Sequence, residues 1–340
     1  MPVRRKRRTS PFAAYGRAIS QWARLAGSSL HAGRRAVGRA VAKQQAAARQ
    51  SVPLAGGGWL SGLAVGPAGM RRYRLYRPPD VALAERRPLL VMLHGCGQDA
   101  RGFALSTRMN RIAARERCFV LYPEQDRGAH PQGCWHWYGT RSGQAQREAA
   151  TLAAAIDQVC LLYPVDAARV AIAGLSAGAG MAALMVTREP ARFRALVMHS
   201  GIAPGVADSS ASALKAMRGG ARAPAMPALP GTALPPLLVI HGDADRVVTA
   251  GNGEAAVRWW AAQAGACSHA SRVVQRGQRH AMTVTDHKLG KRLVASLCRI
   301  DGLGHAWSGG DARHPHGDAR GPDASRMVWA FVARRLEDSP

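Results

Sequence analysis

Five short apolar runs constrain the fold of this chain more than any other feature: PLLVMLHG (88–95), CFVLYP (118–123), VAIA (170–173), LVMHS (196–200) and PLLVIHG (236–242). Each is too short for an ordinary helix and lacks polar alternation, as expected for strands buried on both faces. Helix-like segments lie between them at 106–117, 148–162 and 177–187. Strands alternating with helices build βαβ units, which predicts an α/β fold: a mainly parallel sheet with helices on both faces. RRYRLYRP (71–78) alternates like an edge strand, residues 292–300 read as a later strand, and 322–336 as a closing helix. Residues 1–58 form a tail ending in the loop-like AGGGW, and 59–340 form one catalytic domain. Ligands of such sheets gather beyond the carboxyl ends of the strands. Reactive side chains are therefore sought just after each run.

Three strand ends carry them. After VAIA comes Gly174-Leu175-Ser176-Ala177-Gly178, a G-x-S-x-G sequence between a strand and a helix. That is the setting in which a serine sits on a sharp strained turn with its Oγ lifted clear of the sheet. A hydroxyl is a poor nucleophile unless an imidazole takes its proton and a carboxylate fixes that imidazole. After PLLVI comes His241-Gly242-Asp243-Ala244-Asp245, and either Asp243 or Asp245 can serve. An aspartate used only to cap the helix starting near Gly253 would account for one of the two, not both. Chain order in hydrolases of this sheet type is Ser, acid, His. Of the late histidines, His280, His287, His305, His314 and His316, only His305 follows a strand-like run and sits in a Gly-rich turn. The remaining histidines are expected on loops or at the surface. A developing oxyanion needs preorganised N–H donors, and the candidates are Ala177, opening the helix after the serine, and Cys96 in the loop after the first run. A histidine base predicts activity that rises as imidazole loses its proton.

The net charge is +26, of which residues 1–50 supply +12, with twelve Lys/Arg and no acid. The body is Arg-rich and Lys-poor, the usage of a GC-rich genome. A like-charged block such as Arg4-Arg5-Lys6-Arg7-Arg8 stays solvated unless a polyanion neutralises it, so the 1–50 tail is a candidate contact for an anionic surface or nucleic acid. Apolar residues at helical spacing between Phe12 and Leu30 allow a basic amphipathic helix within an otherwise disordered tail. No apolar stretch is long enough for a transmembrane segment or a secretory signal, so export is not visible and a cytoplasmic location is the alternative. The six cysteines lack zinc-site spacing, and Cys118 and Cys160 read as inert buried thiols. No metal or cofactor is called for.

With these residues in hand, residues 71–335 resemble the polyhydroxybutyrate depolymerase family of esterases, whose relatives include feruloyl and acetyl xylan esterases. The segments that carry the resemblance, in order, are LHGCGQDA (93–100), LYPEQ (121–125), CWHWY (134–138), DAARVAIAGLSAGAGMA (166–182), VMHSG (197–201), VIHGDADRVV (239–248) and GLGHAWSGG (302–310). The resemblance implies the α/β-hydrolase fold and a serine ester hydrolase with Ser176 as nucleophile, Asp245 as acid and His305 as base. It prefers Asp245 to Asp243 because the family places its acid three residues beyond the glycine of the HG pair. Tyr138 stands where relatives commonly have Phe, and Ala179 where a further Gly is usual. Family members are often extracellular. The implied substrates are short-chain hydroxyalkanoate or related carboxylic esters, as polymer, oligomer or small ester. A feruloyl or acetyl xylan type carbohydrate esterase is the alternative, and a non-catalytic binding protein on the same scaffold is a remote one. The resemblance also places the loops of Cys96 and Cys134 at one mouth, near enough for a disulfide that would pin the Cys96 N–H. Trp135, Trp137 and Trp307 are the candidate substrate-binding side chains, although indoles of that segment could equally fill the space beneath the loop.

Overall fold

The structure, a computed structural model, describes residues 56–82, 84–219 and 233–337. The tail at 1–50, with its expected contact to an anionic surface or nucleic acid, lies outside the described residues. Among the described residues no helix is long and apolar enough to cross a membrane.

The five apolar runs become β3 (Arg87–Leu93), β4 (Phe119–Pro123), β5 (Val165–Leu175), β6 (Leu196–His199) and β7 (Leu237–Gly242). They pair in parallel in the order β4, β3, β5, β6, β7, and β11 (Arg292–Ile300) adds a sixth parallel strand beside β7. Burial on both faces explains why the runs lack polar alternation. Along β3, Leu89, Val91 and Leu93 enter one core while Leu90 and Met92 enter the other. The first core packs under α3 (Gln144–Leu162), α4 (Ala177–Arg188) and α6 (Gly251–Gln263). The second packs under α1 (Ala100–Thr107), α2 (Met109–Glu116) and α7 (Ala324–Glu337). The remaining helix, α5 (Ser210–Met217), is closed at its start by a capping box between Ser209 and Ser212.

Two expectations are corrected here. The segment read as an edge strand is β2 (Gly69–Arg77), which is internal. β1 (Gly58–Gly66) forms the edge and pairs with it antiparallel, from Gly58 opposite Arg77 to Gly66 opposite Gly69. Three glycines interrupt its pattern, which hid it in the sequence. The single helix read over 106–117 is α1 followed by α2, because Arg108 takes a left-handed φ of 54°. The Thr107 hydroxyl folds back to donate to the Phe103 carbonyl, and the Arg108 guanidinium donates to the Gly309 carbonyl at 2.6 Å. At the far side β10 (Met282–Leu289) extends the sheet antiparallel to β11 and in turn pairs with β8 (Cys267–Ser268) and β9 (Arg272–Val274). A two-stranded ribbon, β12 (Trp307–Ser308) with β13 (Gly317–Asp318), follows β11.

Candidate active site

Ser176 joins β5 to α4 with φ 56° and ψ −119°, a strained conformation for a residue with a Cβ. The turn is held by the Ser176 N–H, which donates to the His199 carbonyl at 2.9 Å. Gly178 is required by close approach: a Cβ there would lie 2.3 Å from the Leu93 carbonyl oxygen. The loop after β3 can therefore press against the start of α4.

His305 reaches this serine from beyond β11. Its Nε2 lies 2.9 Å from the Ser176 Oγ and its Nδ1 2.7 Å from the Asp245 Oδ2. The loop comes so close that a Cβ on Gly242 would sit 2.0 Å from the Leu303 carbonyl oxygen. Asp245 is buried, and its Oδ1 accepts the N–H groups of Val247 and Val248, each at 2.9 Å. Burial alone would raise its pKa, but hydrogen bonds from His241 and His305 outweigh that and hold the carboxyl well below the usual range. Asp243 has a different task. It caps no helix; it is exposed, and its Oδ1 accepts the Gly302 N–H at 2.7 Å, fastening the turn that carries His305. Two aspartates one residue apart thus hold one histidine, Asp245 through its ring and Asp243 through the Gly302 N–H of the turn that carries it.

The two residues expected to supply N–H donors both line the serine's cavity. Ala177 opens α4, so its N–H has no intrahelical acceptor, and the helix dipole favours negative charge there. On the other side, the Gly95 N–H donates to the Gln98 Oε1 at 2.9 Å and the Gly97 N–H to the Gln132 carbonyl at 2.7 Å. The Cys96 N–H between them has no partner among the described residues. Cys96 is bridged to Cys134, with their Cα atoms 4.4 Å apart. The other four cysteines are free, so the unfolded, unreduced protein is expected to titrate four thiols, and a count of six would exclude the bridge. Cys118 is buried as expected and burial raises its pKa; Cys160 is only half-buried.

These groups open into a cavity of about 480 Å³ that Ser176, His305, Cys96 and Ala177 all line, within the size range of small-ligand sites. The model of the family "Esterase PHB depolymerase" matches residues 71–276. The chain belongs to this family. Ser176 and Asp245 fall inside that match and His305 falls beyond it. The chain is 28% identical over 148 residues to the poly(3-hydroxyalkanoate) depolymerase C of Paucimonas lemoignei, covering 43% of this chain and 36% of that protein. It is 29% identical over 149 residues to the feruloyl esterase B of Neurospora crassa, covering 43% and 49%. The chain thus spans between a third and a half of the length of these curated relatives. Among solved structures it is similar to the acetyl xylan esterase from Aspergillus awamori, at a TM-score of 0.63 and 17% identity, over 81% of this chain and 99% of that one. The architecture is that of the α/β-hydrolase fold.

Relative to its PHB depolymerase family reading, the three tryptophans divide. Trp137 lines the cavity and packs against Gly180. Trp135 borders the cavity but is fully buried, and its indole N–H donates to the His94 carbonyl at 2.9 Å, so it braces the loop after β3. Trp307 is a correction. It does not line the cavity, because pairing of β12 with β13 turns it into the core under α1 and α7. There it stacks on His199 at 5.0 Å, meets Phe103 edge-on and donates to the Ser325 hydroxyl. The expectation of histidines on loops or at the surface is corrected for His199 and His241, which are buried in β6 and β7, while His94 and His136 lie on loops as expected but are buried as well. Burial pushes His94 down to about 4 and His199 to about 3, and each takes a backbone N–H on its Nε2, from Gln125 and Ser308 respectively.

The sequence reading missed a buried charged network behind the disulfide. Glu148 accepts from the Gln125 amide at 2.6 Å and from the His136 ring at 2.9 Å, while Arg71 lies 3.7 Å away. Gln125 also donates to the Cys134 carbonyl at 2.9 Å, which ties this network to the bridge. Burial alone would raise the Glu148 pKa; the bonds from His136 and Gln125 hold it below the ordinary value. Its contribution to stability is therefore present at neutral pH and lost as pH falls through that depressed pKa. Glu148→Leu is expected to cost about 3 to 5 kcal/mol in urea unfolding at pH 7, since Arg71 is left charged and unpaired in the core. A loss below about 1 kcal/mol would show that Arg71 does not depend on it.

Proposed function

We propose that the chain is a serine ester hydrolase that works through an acyl-enzyme on short-chain hydroxyalkanoate or related carboxylic esters. The observation that carries this reading is the chain of contacts from Ser176 Oγ to His305 Nε2 and from His305 Nδ1 to Asp245, at a cavity flanked by the N–H groups of Cys96 and Ala177. Ser176 attacks the ester carbonyl as His305 takes the hydroxyl proton. Negative charge moves to the carbonyl oxygen, where the two N–H groups stabilise it without reorganising. The intermediate collapses as His305 returns the proton to the departing alcohol. Water then enters and adds to the acyl carbonyl as His305 takes one of its protons, and the acyl group leaves as the acid while His305 returns that proton to the Ser176 Oγ. Asp245 stays ionised throughout, orienting the imidazole and stabilising its charged form.

A carbohydrate esterase of feruloyl or acetyl xylan type is a second reading, favoured by the names of the curated and structural relatives. The experiment that tests both is a chain-length series of p-nitrophenyl esters run beside short hydroxybutyrate oligomers and methyl ferulate. Turnover of acetyl to butyryl esters and of the oligomers is expected. Turnover of methyl ferulate alone favours the second reading, and no turnover on any of them defeats the ester hydrolase reading.

A further inference from the structure

Ser176 lies at the end of β5, the strand in the middle of the sheet's parallel part, so the loops on its two sides come from different strands. From β6, β7 and α5 come Ile202, Leu214, Met217 and Val248, an apolar wall. From the loops after β3 and β4 come Cys96, His130 and Gln132, joined by His316 from the ribbon beyond β11. That ribbon is anchored on this side: Gln98 donates to the Pro315 carbonyl at 3.2 Å, and the Asp311 N–H to the Ser106 carbonyl at 2.8 Å. An ester at Ser176 therefore meets, in one cavity, hydrocarbon and the rings of Trp137 and Tyr138 together with the imidazoles of His130 and His316 and the Gln132 amide.

His316 is placed there at a backbone cost. Its φ is 60°, in the left-handed region, and the Trp307 N–H donating to its carbonyl at 2.7 Å holds the conformation. Strain of this kind gathers at functional positions. The ring stands edge-on to His305, centroids 6.1 Å apart, and its Nδ1–H donates to the His305 carbonyl at 3.3 Å. That fixes the neutral tautomer with Nε2 as an acceptor, and Nε2 has no partner among the described residues. His130 has the opposite tautomer. Its Nδ1 accepts the N–H groups of Gln132 and Cys134 at 3.2 and 3.3 Å, so its proton sits on Nε2, a donor. Burial, with His136 beside it, lowers the His130 pKa and favours that neutral form. One imidazole offers an acceptor and the other a donor. A hydroxyl is the group that can use both.

We propose that His316 is a specificity-determining contact that recognises a free hydroxyl on the ester, with His130 lining the same cavity. This rests on the ester hydrolase reading above. The test is kcat/KM for two matched pairs: 2,3-dihydroxypropyl butyrate against propyl butyrate, and methyl 3-hydroxybutyrate against methyl butyrate. The parent is expected to favour the hydroxylated member of at least one pair by about fivefold or more, the fold-change of one hydrogen bond. In His316→Ala that preference falls to within about twofold of unity. His316→Asn, whose short amide tolerates the left-handed backbone, keeps the loop folded and is expected to lose the preference as well. Three results overturn the proposal: a parent without preference, a preference that survives both substitutions, or an equal loss on both members of each pair, which would mean that His316 only supports His305. A parent that cleaves none of the four esters and matches Ser176→Ala defeats the ester hydrolase reading itself, and this proposal with it.

Discussion

Ser176→Ala is expected to abolish nearly all ester turnover, with kcat lower by on the order of 10³ to 10⁶, while the melting temperature stays near that of the parent. The two outcomes separate because the substitution removes only Oγ. Alanine keeps the Cβ that the left-handed turn already accommodates, and the Ser176 N–H bond to His199 is a backbone bond. What disappears is the atom 2.9 Å from the His305 Nε2. Residual turnover is expected to reflect binding and, in the proposed mechanism, the N–H groups of Cys96 and Ala177 acting on attack by water. Hydrolysis of acetyl and butyryl esters at the parental rate would remove Ser176 from the mechanism.

How much of this was legible in the sequence depended on the range over which the constraint acts. β3 announced itself because both faces are buried, so every position from Leu89 to Leu93 is apolar regardless of phase. The turn at Ser176 was legible because the strand before it, the helix after it and Gly178 lie within a dozen residues. Trp307 misled because its neighbours in sequence form a Gly-rich turn beside His305, whereas its placement comes from pairing with residues ten positions on. The Glu148 network was invisible for a similar reason: Arg71, Gln125, His136 and Glu148 come from four separate segments. A signal existed even so. Arg71 shares the inward phase of β2 with Tyr73 and Leu75, and Glu148 lies on the buried stripe of α3 with Ala145, Ala149 and Leu152. A single basic residue and a single acidic one, each on a buried face, would be costly apart and are tolerable as partners.

Asp245→Asn is expected to lower kcat by about 10⁴, and Asp243→Asn by far less, although the two residues are separated by only Ala244. The Asp245 Oδ2 accepts the hydrogen bond of the His305 Nδ1–H, which leaves Nε2 without a proton and facing the Ser176 hydroxyl. An asparagine that turns its NH₂ toward that nitrogen favours the other tautomer, with Nε2 already protonated and unable to act as a base. It also removes the negative charge that stabilises the imidazolium. Because the Asp245 carboxyl is held well below the usual range, the wild-type charge is present through neutral and mildly acid pH and is lost only as pH falls through that depressed value. Asp243 presents its oxygen to the Gly302 N–H, and asparagine keeps a carbonyl oxygen that can accept the same bond. The measurement is kcat for both variants on one soluble ester at neutral pH. Equal losses would place the acid of the triad wrongly, and a larger loss for Asp243→Asn would mean that the backbone turn at Gly302, more than the carboxylate at His305, decides where the imidazole stands.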